Sequence, residues 1–139
     1  MKASRRNLIE IALHLVWTTY ERRPLVTEVL ERSVYRCIEF EATKLGCTVL
    51  AIGGMPDHVH VVLTIPSTTS LANLMKQLKG ASSALAGELL TEGFFKWADG
   101  YAAFSLSRDH CENAIAYVHY QKEHHSGNNP WPRWERTPE

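Results

Sequence analysis

The chain predicts an α+β domain: a mostly antiparallel sheet with helices on one face, in a ferredoxin-like or RRM-like arrangement. Three observations predict it. Apolar residues alternate at Ile9, Ile11, Leu13, Leu15 and Trp17, the period of a half-buried strand. Two later segments carry apolar residues at helical spacing instead, one through Leu30, Val34 and Ile38, the other through Leu71, Leu74, Met75 and Leu78. Between them lie two short apolar runs, CTVLAIGG and HVHVVLTI, separated by few residues and therefore antiparallel neighbours. The full order reads β-α-β-β-α-β(β)-α.

Each element follows from its residues. Residues 9–20 form the first strand, and Arg22-Arg23-Pro24 ends it. Thr27 is a candidate N-cap for a helix to about residue 45, stopped by Gly46. Residues 47–54 form the second strand, Gly53-Gly54-Met55-Pro56 a turn, and residues 58–65 a third, central strand. Ser70 caps a helix over residues 71–90, with a bend expected at Gly80. Two short strands are expected about Asp99-Gly100, anchored by Trp97, Tyr101 and Phe104. Ser107 or Asp109 caps the last helix, to about residue 125, with Asp109 and Glu112 spaced as in a capping box. There is no repeat and no internal boundary. The reading is one domain over residues 1–139, with residues 126–139 an irregular, Pro-rich tail.

The chain has 139 residues, 45% of them apolar, enough for one core and too few for two. Fifteen basic residues balance fifteen acidic ones, so net charge does not point to nucleic acid. The distribution is less even. Lys2, Arg5, Arg6, Arg22 and Arg23 face only Glu10 and Glu21 in the first 25 residues. Three cysteines, with no CxxC pair, fit a reduced, cytoplasmic setting. The basic-then-apolar start is broken by Glu10 and His14 and lacks a small-x-small cleavage site, and no run is long enough to cross a bilayer.

The chemistry-bearing stretch is Asp57-His58-Val59-His60. Residues i and i+2 of a strand share a face, so His58 and His60 project side by side while Val59 and Val61 point the other way. Two neutral imidazoles so placed can chelate one divalent ion. Two half-buried histidines hydrogen-bonded to neighbours are the other reading. No cysteine lies near, so a structural zinc site is disfavoured. On the last helix Tyr117, Gln121 and His124 fall within an arc of roughly 60°. Cys111, Ile115 and Val118 define a different, apolar stripe, which places Tyr117 off the core stripe.

Together these residues resemble the single-tyrosine HUH transposases, the small insertion-sequence transposases and their REP-associated relatives. The His–hydrophobic–His motif is His58-Val59-His60, on a central strand and preceded by Met55-Pro56-Asp57. The tyrosine motif, Y-hydrophobic-x-x-Q, is Tyr117-Val118-His119-Tyr120-Gln121 on the C-terminal helix. Glu123-His124-His125, His14-Leu15-Val16-Trp17-Thr18-Thr19 and Gly100-Tyr101-Ala102-Ala103-Phe104-Ser105 also look like family segments. The resemblance spans nearly the whole chain, in order and spacing. The chain departs at Tyr120, where many relatives carry Asn, and in its neutral charge balance.

The resemblance implies cleavage and rejoining of single-stranded DNA at hairpin-flanked sites through a 5′-phosphotyrosine link. In it Tyr117 is the nucleophile, and His58, His60 and Gln121 hold Mg²⁺ or Mn²⁺, which mixed nitrogen and oxygen ligands without thiolate suit. It also implies a homodimer, with Tyr117 supplied in cis or in trans. His124 is a candidate proton relay. Arg5, Arg6, Arg22, Arg23, Lys76, Lys79 and Arg108 are candidate phosphate contacts, and each is equally an ordinary solvated charge. Trp131 and Trp134 are more readily packing residues than base-stacking ones. The rival readings are a domesticated hairpin-binding protein that does not cut, an RRM-like RNA-binding module, and a hydrolase that uses water in place of Tyr117.

Overall fold

A computed structural model describes residues 7–121. The first strand, β1 (Ala12–Thr18), leads through a single 3-10 turn, Tyr20–Arg22, to helix α1 (Glu28–Lys44). An antiparallel pair follows, β2 (Thr48–Met55) and β3 (His58–Thr64), then α2 (Leu71–Leu89), β4 (Ala102–Leu106) and α3 (Arg108–His119). The sheet order is β2-β3-β1-β4, antiparallel throughout, so β3 and β1 are the central strands.

Local rules explain the elements. Leu30, Val34, Ile38 and Ala42 recur every four residues along α1 and are all buried. Gly46 takes a left-handed φ of 85° just past the helix, and its N–H and that of Cys47 close onto Thr43 and Ala42 carbonyls. Ser70 caps α2, its Oγ accepting from the Asn73 N–H at 3.0 Å. Ser107 does the same for α3 through the His110 N–H, so Ser107 and not Asp109 is the cap. α2 runs continuously through Gly80.

The sheet separates two environments. Leu15 and Trp17 of β1 and Val59, Val61 and Leu63 of β3 face α1 and α2 in the main core. The alternate residues face α3. Ala51 and Val62 pack there with Ala114, Tyr117 and Val118, and Phe104 and Leu106 of β4 close the side. The expectation of helices on one face therefore holds for α1 and α2, while α3 lies across the opposite face. The reason is Tyr117: with Ala114 and Val118 it forms the buried stripe of α3, at 1% exposure, whereas the spacing argument had placed it off the core stripe. An RRM-type module would leave this face of the central strands open for stacking bases. Here α3 covers it.

Two other expectations are corrected. Gly53 and Gly54 belong to β2, paired with His60 and Val59, and the turn is confined to Pro56-Asp57. The segment before Gly100 is not a strand but for one bridge, Thr19 to Trp97. It is pinned by side chains instead. The Trp97 indole donates to Ser82 Oγ at 2.9 Å, and Lys79 Nζ donates to the Ala98 and Gly100 carbonyls at 2.8 Å each. Once those groups are satisfied by α2, a ladder is not required.

Candidate active site

β3 delivers two imidazoles to the α3 face. His58 pairs with Thr18 and His60 with Val16 of β1, and both histidines are buried. Their ring centroids are 5.1 Å apart. Each Nδ1 is engaged by a different neighbour. His58 Nδ1 lies 2.7 Å from Asp57 Oδ1, and His60 Nδ1 lies 2.8 Å from His14 Nε2. A ring whose Nδ1 donates to a neighbour is turned to offer Nε2 to an ion.

Asp57 is itself held in place. Its carbonyl accepts from the Thr19 N–H at 3.0 Å, and the Pro56 carbonyl accepts from the Val26 N–H at 2.9 Å. Its carboxylate is paired with Arg22 Nε at 3.3 Å. The His58 hydrogen bond and, behind it, the Arg22 charge hold the Asp57 carboxyl below the usual carboxylate range, against the opposing effect of partial burial. The turn that brings Arg22 there is strained. Glu21 and Arg22 have φ of 52° and 55°, a left-handed conformation that costs roughly 1–2 kcal/mol per non-glycine residue.

α3 supplies the remaining residues. The Tyr117 ring sits 5.5 Å from His60 and 6.3 Å from His14, edge-on to both. α3 can lie this close because Gly53 has no side chain: a Cβ there would come within 2.4 Å of the Val118 carbonyl oxygen. Sequence reasoning took Gly53 for a turn residue. A glycine opposite a motif histidine was the signal for a helix pressed onto the strand. Gln121 follows α3 past an irregular Tyr120, at φ −106° and ψ 31°, and is itself helical. It is buried all the same, and with Glu31, Tyr35, Gly53 and Gly54 it lines a cavity of about 360 Å³ against the β2 segment that pairs with His60. A second cleft of about 400 Å³ is lined by His58 with Arg22, Pro24 and Met55-Pro56-Asp57.

The donor set suits a divalent ion. Among the described residues no three His, Cys, Asp or Glu side chains cluster to hold a metal, and the sequence's candidate for a third ligand is the Gln121 amide oxygen. Two imidazoles and an amide are neutral and free of thiolate, which fits a hard ion that keeps open positions for water and phosphate. His14 belongs to a family-like segment that carries no metal or nucleophile motif of its own. Its place on β1, on the histidine face, was readable from the strand period.

The candidate phosphate contacts are scattered. Arg22 binds Asp57, and Arg23 pairs with Glu21 while stacking over Tyr20 and Phe94. Arg108 pairs with Glu10 on the surface. Lys76 and Lys79 lie on α2, which covers the face away from the histidines, and Lys79 is occupied by the two carbonyls above. Among the described candidates Arg22 is tied to the site through Asp57, and Arg23 follows it in sequence. Arg5, Arg6, His124, Trp131, Trp134 and the 126–139 tail lie outside the described residues.

The chain has relatives among known proteins. The model of the family described as "Transposase IS200 like" matches residues 7–121. The ISDra2 transposase TnpA of Deinococcus radiodurans is 34% identical over 132 residues, covering 88% of this chain and 92% of that protein. Two solved structures share the fold. One, from Deinococcus radiodurans, has a TM-score of 0.70 and 24% identity over 87% of this chain and 98% of its own. The other, a REP-associated tyrosine transposase bound to a REP hairpin, has a TM-score of 0.67 and 15% identity over 90% of this chain and 74% of its own. With a match across residues 7–121 and a full-length relative above 30% identity, the chain belongs to the IS200-like transposase family.

Proposed function

We propose that the protein cleaves and rejoins single-stranded DNA at hairpin-flanked sites through a covalent link to Tyr117. The observation that carries this reading is the position of the Tyr117 ring, 5.5 Å from His60 and on the same side of the sheet as His58. A hydrolase that uses water has no need of a phenol there. The hairpin bound by the REP-associated relative supports the choice of substrate.

In the cleavage step a bond forms between Tyr117 Oη and the scissile phosphorus, and the bond from phosphorus to the 3′ oxygen breaks. The phenol proton leaves to solvent or to a base, His124 being the candidate from the sequence, and the 3′ oxygen takes up a proton. The products are a 5′-phosphotyrosine and a 3′-hydroxyl. Because the phosphodiester energy is kept in the link, a second 3′-hydroxyl can reverse the step on another strand without a nucleotide cofactor. A phenol with pKa near ~10 is mostly protonated at neutral pH, so it needs help to attack.

His58, His60 and Gln121 would hold Mg²⁺ or Mn²⁺. The ion, when bound, neutralises charge developing on the phosphate and favours the phenolate. Asp57 keeps His58 in register, and Arg22 and Arg23 stand at the rim to meet adjoining phosphates. A single chain already sets Tyr117 beside His60, so we read the site as assembled in cis. The homodimer implied by the resemblance is retained, and light scattering on the purified protein tests it directly.

The test uses labelled single-stranded DNA carrying hairpins from the ends of the element, with Mg²⁺ or Mn²⁺, run on a denaturing gel. The expected result is a metal-dependent protein–DNA band in the wild type and none in Tyr117→Phe. Cleavage that survives Tyr117→Phe contradicts the proposal. Hairpin binding without any adduct favours the domesticated, non-cutting reading.

A further inference from the structure

We propose that His14 is a positioning residue for the metal site, holding the His60 ring so that Nε2 of His60 faces the ion. This rests on the reading that His58 and His60 are ligands. His14 lies on β1 directly opposite Val62, and its neighbour on the same face, Val16, lies opposite His60. His14 is thus diagonal to His60 across the strand pair, within reach of a long side chain. The contact is made: His14 Nε2 and His60 Nδ1 are 2.8 Å apart, with ring centroids at 5.0 Å.

The position would be served by an apolar side chain if packing were its only role. His14 is completely buried, in a row with Phe104 and Tyr117. Burying an imidazole among such neighbours is unfavourable unless its polar atoms are used. A neutral imidazole has one donor and one acceptor nitrogen. If His60 ligates through Nε2, its proton sits on Nδ1 and is donated to His14 Nε2, and His14 then carries its own proton on Nδ1. One hydrogen bond therefore fixes both tautomers and one ring orientation. The parallel with the other ligand is close. His58 Nδ1 has the Asp57 carboxylate as its acceptor, and His60 Nδ1 has His14. The difference is charge. A carboxylate serves the ligand beside the exposed turn, and a neutral ring serves the one within β3 whose ring lies 5.5 Å from Tyr117, where a second buried anion would be repelled by phosphate.

The test is Mn²⁺ binding to the full chain by calorimetry, with thermal melts confirming that each variant is folded. His14→Leu keeps the volume and removes the acceptor. It should weaken Mn²⁺ by about 10–100-fold, the usual effect of losing such a partner. His14→Gln, whose amide oxygen can accept from His60, should recover most of that loss. Wild-type affinity in His14→Leu, or no recovery in His14→Gln, overturns the proposal. A measurement without any variant guards against misfolding: long-range proton–nitrogen correlation NMR of the wild type with Mg²⁺. His14 should be protonated on Nδ1 with Nε2 as the acceptor. A proton on His14 Nε2 overturns the assignment. His58→Ala separates the two readings. If it too binds Mn²⁺ like the wild type, or if the wild type binds none, the metal site itself is wrong. If His58→Ala weakens binding and His14→Leu does not, only the role of His14 fails.

Discussion

At the scale of single residues, the site is a matter of what each imidazole leans on. Asp57 shows the point best, because it is tied to the backbone of β1's exit, to Arg22 and to His58 at once. Its carboxyl titrates below the ordinary range, so the charged form is favoured by folding. Stability from such a group is fully present above the unfolded value near ~3.9 and is lost as pH falls through the lower, folded value. Asp57→Asn should therefore lower the urea midpoint at pH 7, and the gap to the wild type should close as pH drops below about 4. A gap that persists or widens in acid contradicts the pairing. The sequence made this residue type and position visible, since Asp57 abuts the motif, but not its partners. Arg22 reaches Asp57 only through two consecutive left-handed residues, and no local pattern in Tyr20-Glu21-Arg22-Arg23 announces that turn.

At the scale of elements, the decisive contact is α3 on β2 and β3. Gly53 allows it, because any Cβ there meets the Val118 carbonyl at 2.4 Å. Gly53→Ala should push the helix and Tyr117 away from the histidines. A destabilisation of about 1–3 kcal/mol is expected from the forced repacking, together with a fall in adduct formation of up to about 100-fold, since a shift of about 1 Å at reacting groups has that effect. Gly80→Ala makes the control. It adds a methyl in open space on the exposed side of α2 and should stabilise by about 0.5–1 kcal/mol with adduct formation unchanged. Denaturation curves and the gel assay read both variants. If both glycines respond alike, the close approach at Gly53 is not what seats α3. The elements themselves were well marked in the sequence, because 3.6- and 2-residue periods report burial directly. What the periods could not report was which face each helix would choose. α3 carries two overlapping stripes, and the tyrosine lay on the one that the polar Gln121 and His124 seemed to mark as wet.

At the scale of the whole molecule, one sheet divides labour between its faces. α1 and α2 supply an apolar core under β1 and β3, and the opposite face, roofed by α3, carries His14, His58, His60 and Tyr117. The arrangement explains how a chain with no net charge can serve as a transposase. The residues that would do the chemistry lie close to the sheet, and among the described candidate phosphate contacts Arg22, paired with Asp57, is the one tied to the site. It also buries Tyr117, so if Tyr117 attacks as proposed, DNA must enter beside α3 or α3 must give way. The family and the fold were legible from ordered motifs that no single one of them would have carried. The approach of Tyr117 to His60 within one chain was not legible, because it depends on where α3 docks. The measurement that bears most directly on this account is peptide mapping by mass spectrometry of the protein–DNA adduct formed with Mn²⁺. The account predicts a nucleotide phosphate carried on Tyr117 alone. Phosphate on the neighbouring, exposed Tyr120, or cleaved DNA with no tyrosine modified, would contradict it.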